Sequence, residues 1–395
     1  MAIEIEADTI TAAAARETRP PVVLQVLPSL VTGGVERGTV EVAAALAREG
    51  WRSLVASSGG PMVRLLDRCG ASHFTLPVDS KNPVTMRRNV ERLADLIVAH
   101  DVDVVHARSR APAWSARAAA RRTGRRFVTT FHSTYSRGNF LKRRYNAVMT
   151  SGDRVIANSD FIADHIRAHY GIDDHRLVTI HRGVDFDHFD PANVSAERIV
   201  KLAREWRLPD GVPVVMLAGR LVRRKGHALL IEALARLGRD DILCLLVGAA
   251  AERSGYRREL EEMIERMDLA GTVRIVGGCD DMAAAYMVAD VVVIPSTTPE
   301  AFGRVAAEAQ AMGRPVIAAD AGAARETVVE GETGWLVPPH DAGALAGALA
   351  EALALDGRQR EVVAAAARTH VAERFTVERM CRLTLDTYAA VLAEA

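Results

Sequence analysis

The sequence has few cysteines and no long hydrophobic run, and each shortage excludes a class of protein. The four cysteines lie apart from one another, without C-x-x-C spacing or neighbouring histidine pairs, so we expect neither disulfides nor a zinc site. No apolar run approaches the ~20 residues that span a bilayer. The N-terminal MAIEIEADTITAAAARETRP lacks a basic stretch followed by an apolar one, which argues against a secretory signal and predicts a flexible extension over residues 1–20. A protein of the reducing cytoplasm is expected.

Net charge is also absent. The 395 residues include 50 Lys plus Arg and 50 Asp plus Glu, so the chain as a whole has no field that would attract nucleic acid. The charges are nevertheless distributed unevenly. Residues 21–190 contain 24 basic and 17 acidic side chains, whereas the residues from 191 onward contain 24 basic and 29 acidic ones. The first half is therefore basic and the second half acidic.

Residues 104–152 contain no Asp or Glu. Their basic side chains are Arg108, Arg110, Arg117, Arg121, Arg122, Arg125, Arg126, Arg137, Lys142, Arg143 and Arg144. A solvated face is one interpretation. Contact with an anionic membrane surface or a phosphorylated acceptor is the other, and it applies best to Lys142, Arg143 and Arg144 with Arg137, because apolar residues lie beside them. No nucleic-acid recognition motif accompanies the charge, so no nucleic-acid partner is expected.

Short apolar strands alternate with amphipathic helical patterns along the chain. Strands are predicted at Val22–Leu27, Val102–His106, Phe127–Phe131 and Arg154–Ala157, and then near 214–218, 242–247, 273–276, 290–294, 315–318 and 335–337. This alternation is typical of parallel sheets with crossover helices. The chain is also too long for one ordinary core. We therefore predict an α/β protein with two doubly wound, Rossmann-like domains that face each other across a cleft.

The same patterns give domain boundaries. After the extension we predict an N-terminal domain over 21–190, a linker over 191–210, a C-terminal domain over 211–372 and a final helix over 373–395 that returns to the N-terminal domain. In such sheets ligands lie beyond the carboxyl ends of the strands. Functional residues are therefore expected in the loops that follow strands.

Adjacent glycines follow the first predicted strand. In PSLVTGGVERG, Gly33 and Gly34 open a predicted helix. Glycine lets the backbone approach a ligand closely, and the free N–H groups at a helix start attract anions. The pair indicates either an anion site or only a turn.

Cations crowd the loop after strand 214–218. In GRLVRRKGH, Arg220 and Lys225 flank the turn and are placed to bind a diphosphate, Arg through its planar fork and Lys as a point charge. Arg223 and Arg224 lie between them and are expected to be solvated. The GxxxxGK[ST] order of a P-loop is missing, which argues against ATP hydrolysis.

Two carboxylates follow strand 290–294. PSTTPEAFGRVAAEAQAMGRPVIA places Glu300 at the start of a helix predicted over Phe302–Met312, and Glu308 inside that helix. At 1.5 Å per residue they are roughly 9 to 12 Å apart, too far for one acid/base couple but suited to two ends of one ligand. A helix-capping Glu300 and a solvated Glu308 are the alternatives. Glycines, cations and paired acids at strand ends together favour a nucleotide diphosphate-sugar.

These motifs resemble those of the family 4 retaining glycosyltransferases, also called glycosyl transferases group 1, which have the GT-B fold. The resemblance covers nearly the whole chain from about residue 22. Its most specific element is E-x7-E in PEAFGRVAAEAQAMGRPVIA, followed by DAGAARETVVEGETGWLVPP. The shorter matches are Gly33-Gly34-Val35-Glu36, His132 in TTFHSTY, Ile156-Ala157-Asn158-Ser159, Gly183-Val184-Asp185, Gly219-Arg220 and Lys225-Gly226.

The resemblance implies catalytic roles for Arg220, Lys225, Glu300 and His132. Arg220 and Lys225 would bind the donor diphosphate, and Glu300 would bind the donor sugar. The N-terminal domain would hold the acceptor, with His132 near the reacting sugar; a structural histidine is the alternative.

The resemblance also implies a nucleotide-sugar site beyond these residues. Glu308 would bind the ribose, and Phe302 and Gly303 would offer backbone N–H groups at the helix start. The full expected site consists of Gly33, Gly34, Arg220, Lys225, Gly277, Glu300, Phe302, Gly303 and Glu308.

The implied reaction retains the anomeric configuration and uses neither metal nor cofactor. The donor would be UDP- or GDP-linked, and the acceptor a glycan or lipid-linked glycan of lipopolysaccharide or cell-surface polysaccharide synthesis. Fixed positive charge would stabilise the departing diphosphate. The alternative is a metal-dependent reaction with an Asp-x-Asp metal site, and this sequence pattern occurs at 101–103 and 185–187. The first of these precedes a strand and so lies at the wrong edge of the sheet.

Two departures from the family pattern concern small residues. The family often has G-x-G where this chain has Gly248-Ala249-Ala250, and a Gly-Gly pair where it has Gly322-Ala323. Activity is still expected, but the choice of donor base and sugar stays open. Two other functions also stay open, namely a nucleotide-sugar epimerase of the same architecture and a non-catalytic nucleotide-sugar-binding protein.

Overall fold

The computed structural model describes residues 19–31, 33–135, 138, 140–249 and 255–394. Nearly all of the predicted N-terminal extension lies outside these residues. The chain divides into two compact units. The first contains the residues up to Ala157, Ile166–Val178 and the residues from Cys381 onward, and the second contains Asn158–His165 and Thr179–Met380. The predicted domain boundary near residue 190 thus lies within the second unit.

The first unit has a seven-stranded sheet in the order β3-β2-β1-β4-β5-β6-β7. The neighbouring strands from β3 to β6 pair in parallel. The strands are β1 (Val22–Val26), β2 (Arg52–Ser57), β3 (Ser72–Thr75), β4 (Val104–Ala107), β5 (Arg126–Phe131), β6 (Arg154–Ala157) and β7 (Leu177–Thr179).

The second unit has a six-stranded parallel sheet in the order β10-β9-β8-β11-β12-β13. The strands are β8 (Val214–Ala218), β9 (Leu243–Val247), β10 (Val273–Gly277), β11 (Val291–Ile294), β12 (Val316–Ala319) and β13 (Gly334–Val337). The predicted α/β class with two doubly wound, Rossmann-like sheets is confirmed.

Helices connect the strands as parallel sheets require. The α-helices are α1 (Gly34–Arg48), α2 (Val63–Arg68), α3 (Pro83–Ala99), α4 (Arg110–Arg122), α5 (Phe140–Asn146), α6 (Asp160–Tyr170), α7 (Ala196–Glu205), α8 (His227–Leu237), α9 (Tyr256–Arg266), α10 (Met282–Val288), α11 (Arg304–Ala311), α12 (Ala324–Thr327), α13 (Ala342–Ala354), α14 (Gly357–Arg374) and α15 (Val377–Ala393). Short 3-10 helices lie at Ala147–Thr150, Asp174–Arg176, Pro191–Asn193 and Arg223–Lys225. In the part of the chain that the structure describes, no helix combines the length and the hydropathy needed to cross a bilayer.

The second sheet is buried on both faces, which explains its continuous apolar strands. In β8, Val214, Met216 and Ala218 pack in one hydrophobic core, and Val215 and Leu217 pack in another. Successive side chains of a strand point to opposite faces, so a sheet covered by helices on both sides needs apolar residues at every position. This is why the sequence signal is strong for these strands.

Three strands, β2, β3 and β7, are absent from the prediction. Strand β3 is an edge strand whose residues are half-buried or exposed, and β7 at the other edge has only three residues. Edge strands need no apolar run, so their sequences carry little signal. The segment predicted as a linker over 191–210 contains α7, whose Leu202 packs in a core of the second unit.

The last helix contributes a polar contact to the core of the first unit. Tyr388 Oη lies 2.6 Å from His106 Nδ1, and His106 Nε2 lies 2.7 Å from Thr130 Oγ1. His106 and Tyr388 are both fully buried. A buried imidazole needs hydrogen-bond partners. His106 on β4 finds them in Tyr388 on α15 and Thr130 on β5, so these hydrogen bonds join the helix to both strands.

Candidate active site

Glycine at position 226 sets the path of the cationic loop between β8 and α8. Its φ is 76°, in the left-handed region, and a Cβ atom there would lie 1.9 Å from the carbonyl oxygen of Pro295. Only glycine permits this approach. The residue before it, Lys225, is thereby held against the segment that follows β11.

A half-buried ion pair joins the cationic loop to the first of the two predicted acids. Lys225 Nζ lies 2.7 Å from Glu300 Oε1, and the two side chains are 16% and 19% exposed. Ser296 Oγ donates a hydrogen bond of 2.7 Å to the same oxygen. The described contacts of the carboxylate are therefore with these side chains and with Arg224, and the helix-cap alternative for Glu300 is wrong.

The pKa of Glu300 reflects two opposing effects. Burial raises it, but the positive charge of Lys225 and the hydrogen bonds from Lys225 and Ser296 lower it by more, so the pKa lies below its ordinary value. Glu300 is therefore a carboxylate at neutral pH. An ionised carboxylate acts only as an acceptor, so both of its oxygens can accept hydrogen bonds from hydroxyl groups.

The other three cations of the loop differ in environment. Arg224, predicted to be solvated, is 46% exposed, with its NH1 atom 4.0 Å from Glu300 Oε1. Arg223 is exposed and pairs with Glu259. Arg220 is exposed, and its side chain forms no ion pair with any residue that the structure describes. Of the predicted diphosphate ligands, Lys225 is thus held by the protein and Arg220 is not.

Glu308 lies inside α11 and is 8% exposed, so the solvated-face alternative is wrong. Arg304 Nε lies 2.8 Å from Glu308 Oε1, and Tyr286 Oη donates a 3.1 Å hydrogen bond to Oε2. Sequence reasoning missed both partners. The signal for Arg304 is its i, i+4 spacing from Glu308 on one helix face, whereas Tyr286 on α10 has none.

Helix α11 begins two residues later than predicted. Gly303 has a φ of 85° and precedes the helix, which starts at Arg304. Phe302 is 3% exposed, and its ring centroid lies 5.3 Å from that of Phe375. Phe302 thus anchors the helix start in the core, and Gly303 supplies the left-handed residue that redirects the chain there.

Glycines bring the ends of three neighbouring strands together. A Cβ atom at Gly248 would lie 1.8 Å from the carbonyl oxygen of Gly219, and the Gly248 N–H donates to the Gly277 oxygen over 2.6 Å. A Cβ atom at Gly277, by contrast, would have no other group within 4 Å. The predicted Gly277 therefore lies beside open space at the carboxyl ends of β8, β9 and β10.

The departure at Gly322-Ala323 leaves the backbone intact. A Cβ atom at Gly322 would lie 2.3 Å from the carbonyl oxygen of Glu300, so this glycine is required. Ala323 has an ordinary φ of −83°, and its backbone N–H donates to the carbonyl oxygen of Glu300 over 3.0 Å. Alanine is compatible with that conformation, and the segment still holds Glu300 in place.

The first unit contains the remaining predicted residues. Gly33 and Gly34 are exposed at the start of α1, where a Cβ atom at Gly33 would lie 2.5 Å from Glu36 Oε2. The helix start thus faces a carboxylate of its own first turn. His132 directly follows β5 and is half-buried. The structure describes these residues within the first unit, whereas the Lys225–Glu300 pair belongs to the second.

A second cluster of titratable groups joins three segments that lie far apart in the sequence. Glu326 on α12 accepts the backbone N–H groups of Asp160 and Phe161 at 2.9 and 2.8 Å, and its Oε2 lies 2.8 Å from His181 Nε2. Burial raises the pKa of Glu326, but the hydrogen bonds from His181 and these N–H groups lower it below its ordinary value. Glu326 therefore caps α6 as an anion at a helix start.

The candidate metal ligands are already engaged within the protein. Ligand atoms of Asp160, His181 and Glu326 come within 4.8 Å of one another, but both Glu326 oxygens accept backbone hydrogen bonds. Of the Asp-x-Asp sequences, Asp101 and Asp103 both form ion pairs with Arg19. These carboxylates therefore already have partners within the protein.

The acid-free segment does not form one continuous basic surface. Arg108 is 3% exposed and donates to Gln25 Oε1 over 2.8 Å. Arg125 pairs with Asp101 over 3.0 Å. The triplet of Lys142, Arg143 and Arg144 is exposed, whereas the predicted Arg137 lies outside the described residues. Only part of the segment is therefore available to an anionic partner.

Two family profiles match the chain. Glycosyltransferase Family 4 matches residues 32–188, and Glycosyl transferases group 1 matches residues 200–370. The structure is also similar to that of a glycosyltransferase from Rickettsia africae ESF-5, with 37% identity and a TM-score of 0.89 over 95% of this chain and 100% of that one. The chain belongs to glycosyltransferase family 4. Its two sheets form the two Rossmann-like domains of the GT-B fold.

Among other relatives of this family 4 glycosyltransferase, one is solved with a ligand and one is named for its substrate. Anabaena Alr3699/HepE, solved in complex with UDP and glucose, is 26% identical, with a TM-score of 0.82 over 94% of this chain and 100% of that one. D-inositol 3-phosphate glycosyltransferase of Streptomyces bingchenggensis is 32% identical over 254 residues, which are 62% of this chain and 54% of the relative. The match thus spans little more than half of that relative's length.

Proposed function

We propose that the protein transfers a sugar from a UDP- or GDP-linked nucleotide diphosphate-sugar to a glycan or lipid-linked acceptor, with retention of the anomeric configuration. The observation that carries this proposal is the half-buried Lys225–Glu300 pair, which fixes a cation and a carboxylate 2.7 Å apart at the ends of parallel strands. Ligands of such sheets lie at these strand ends. The family relative Anabaena Alr3699/HepE, solved with UDP and glucose, supports the same donor class.

The two charges suit opposite parts of the reacting bond. As the bond between the anomeric carbon and the diphosphate oxygen breaks, negative charge grows on the diphosphate, and a cation at the position of Lys225 stabilises it more than in the ground state. Glu300 accepts hydrogen bonds from the sugar hydroxyls. The acceptor hydroxyl forms the new bond to the anomeric carbon, and its proton passes to the departing diphosphate. No metal is required in this proposal.

Glu308 serves the nucleoside end of the donor in this proposal. Arg304 and Tyr286 fix the orientation of its carboxylate, and a fixed carboxylate is well suited to bind the hydroxyls of a ribose. Arg220 is an exposed cation that binds the diphosphate of the donor.

For the acceptor we propose a precursor of lipopolysaccharide or another cell-surface polysaccharide, handled at the inner face of the cytoplasmic membrane. The basic composition of residues 21–190 supports an anionic acceptor, since this range contains 24 Lys or Arg and only 17 Asp or Glu. Two curated relatives are named for D-inositol 3-phosphate, which is a phosphorylated compound, and this name supports an anionic acceptor here as well. His132 is proposed to lie near the reacting sugar.

A donor panel tests the proposed activity. The full chain is incubated with UDP-, GDP- and ADP-sugars, with and without an acceptor extract, and release of the nucleoside diphosphate is measured. Release that depends on acceptor is the expected result. A donor whose sugar is isomerised without release of the diphosphate would identify an epimerase. Tight binding without turnover in any combination would identify a non-catalytic binding protein.

An exposed apolar and basic turn supports peripheral membrane contact. Phe140 and Leu141 are 73% and 71% exposed at the start of α5, and the basic residues 142–144 follow them directly. Exposed apolar side chains beside cations suit an anionic bilayer surface, where each basic residue contributes about 1 kcal/mol.

Wild-type protein should therefore co-sediment with anionic vesicles and not with zwitterionic ones, and salt should release it. We expect Arg143→Ser with Arg144→Ser to weaken binding roughly thirtyfold, because two surface charges of about 1 kcal/mol each are lost. The matched control is Arg121→Ser with Arg122→Ser, which removes two exposed charges at the end of α4. Equal loss in both double variants would mean that the turn has no special role.

A further inference from the structure

A fully buried histidine directly follows the cationic loop. His227 is the first residue of α8, and Gly226 before it passes close to Pro295. The side chain of His227 is 0% exposed. Burial of a polar side chain costs free energy unless that side chain has hydrogen-bond partners, so the surroundings of the ring indicate what it does there.

The imidazole of His227 is neutral at pH 7. Burial lowers its pKa, the charge of Lys225 lowers it further, and hydrogen bonding to the backbone of Gly219 and Val222 opposes these effects, so that the pKa lies at about 4. The ring therefore adds no positive charge to a loop that already contains four cations. A neutral imidazole has one N–H donor and one acceptor nitrogen.

Two carbonyl groups of the loop lie beside the ring nitrogens. A backbone group raises the pKa of an imidazole by accepting its proton in a hydrogen bond, so the groups of Gly219 and Val222 that do so are carbonyl oxygens. Neither ring nitrogen, however, has a hydrogen bond of ordinary geometry with a residue that the structure describes. The contacts are therefore poorly aligned, and the single N–H of the neutral ring faces two acceptors.

An aromatic contact limits the orientation of the ring. Tyr256 on α9 is 6% exposed, and its ring lies edge-on to that of His227, with centroids 6.0 Å apart and planes at 77°. The guanidinium of Arg223 lies 5.1 Å from the centroid of the same tyrosine ring. His227 thus packs against α9 and contacts the loop through its nitrogens.

Lys225 rests on the same two residues that His227 contacts. Its backbone N–H donates to the carbonyl oxygen of Val222 over 3.0 Å. Its side chain passes beside Gly219, where a Cβ atom would lie 3.5 Å from Lys225 Cδ and Cε. A shift of either carbonyl group would therefore move the ammonium group of Lys225 relative to Glu300.

We propose that His227 is a positioning residue for sugar transfer, whose imidazole holds the carbonyl groups of Gly219 and Val222 and thereby sets the position of Lys225. The proposal rests on the transferase function proposed above and goes beyond it, because His227 itself does not contact the donor. A displacement of about 1 Å at a group that acts on the reacting bond costs up to about a hundredfold in rate.

His227→Leu removes the ring nitrogens and keeps a side chain of similar size. Because poorly aligned hydrogen bonds contribute little to stability, the melting temperature of the variant should stay the same or rise. Amide hydrogen exchange of residues 219–226, measured by mass spectrometry on the full chain, should become faster, since the carbonyl groups lose their contact. In the same variant kcat should fall about tenfold, with UDP affinity changed by less than about threefold.

Two amide variants test whether the ring nitrogens are responsible. His227→Asn and His227→Gln each keep a neutral N–H donor, close to the position of Nδ1 in the first and of Nε2 in the second. One of them should restore most of the turnover and slow the exchange of residues 219–226 again. A role in core packing alone would favour the leucine variant over both amides.

Leu234→Val on the same helix is the matched control. Leu234 is 1% exposed and lies about two turns beyond His227. Loss of a methylene from the core should lower the melting temperature, but should leave kcat and the exchange of residues 219–226 within about twofold of the wild type.

Wild-type turnover and wild-type exchange in His227→Leu would overturn the proposal. A joint fall of melting temperature and turnover in that variant, restored by neither amide, would also overturn it and would make His227 a core residue only. A wild type that releases no nucleoside diphosphate from any donor would contradict the transferase function instead, and the exchange of residues 219–226 would still show whether His227 holds the loop.

Discussion

Lys225→Ala is expected to lower sugar transfer at least about a hundredfold, which corresponds to about 3 kcal/mol of transition-state stabilisation. In the proposed reaction this cation gains interaction as negative charge grows on the leaving diphosphate, so kcat should fall more than donor affinity. The variant also leaves Glu300 in a largely buried site without its ion-pair partner. Initial rates at saturating donor and acceptor, together with UDP affinity, measure both effects.

The same variant should change the pH dependence of the enzyme. Burial raises the pKa of Glu300, and the charge and hydrogen bond of Lys225, together with Ser296 and Arg224, lower it by more. Removal of Lys225 takes away part of this lowering and leaves the effect of burial, so the pKa of Glu300 should rise. Glu300 would then become protonated at a higher pH than in the wild type. The acid limb of the pH–rate profile should therefore move to higher pH.

Arg223→Ala is the matched control for this prediction. Arg223 lies in the same 3-10 turn as Lys225 but is 73% exposed and pairs with Glu259. Its loss should leave the turnover within about twofold. A Lys225→Ala enzyme with normal turnover and an unshifted acid limb would show that the ion pair is structural and that the diphosphate binds elsewhere.

Much of the fold could be predicted because its determinants are local. Strand β8 is apolar at every position since helices cover both faces, and β6 has the predicted bounds Arg154–Ala157. Strands β3 and β7 could not be found in this way. They lie at sheet edges, where partners on one side supply the hydrogen bonds and no run of apolar residues is required.

The candidate site shows the same division between local and distant causes. The positions of Lys225 and Glu300 after strands follow from the sequence, but their contact does not, because it joins residues 75 positions apart. It depends on the close approach of Gly226 to Pro295, which no local pattern reveals. The sequence likewise gives no sign that Glu326 caps a helix whose first residue, Asp160, lies 166 positions earlier.

Glu300→Gln and Glu308→Gln should differ in the step that they impair. Both changes keep the shape of the side chain and remove its charge. In the proposed function Glu300 binds the sugar, so its variant should lose transfer by about a hundredfold with nearly unchanged UDP affinity. Glu308 binds the ribose, so its variant should bind UDP about tenfold more weakly, because hydrogen bonds to a charged group are lost. Calorimetry with UDP and initial rates separate the two effects.

Tyr286→Phe distinguishes ligand binding by Glu308 from its internal contacts. Tyr286 is fully buried and donates one of the hydrogen bonds that hold the Glu308 carboxylate. Its loss leaves the carboxylate and the contact with Arg304 in place, so UDP affinity should fall only a fewfold. If Tyr286→Phe and Glu308→Gln weaken UDP binding equally, Glu308 acts through the packing of α11 against α10. If both Gln variants change UDP affinity alike, the two acids do not serve opposite ends of the donor.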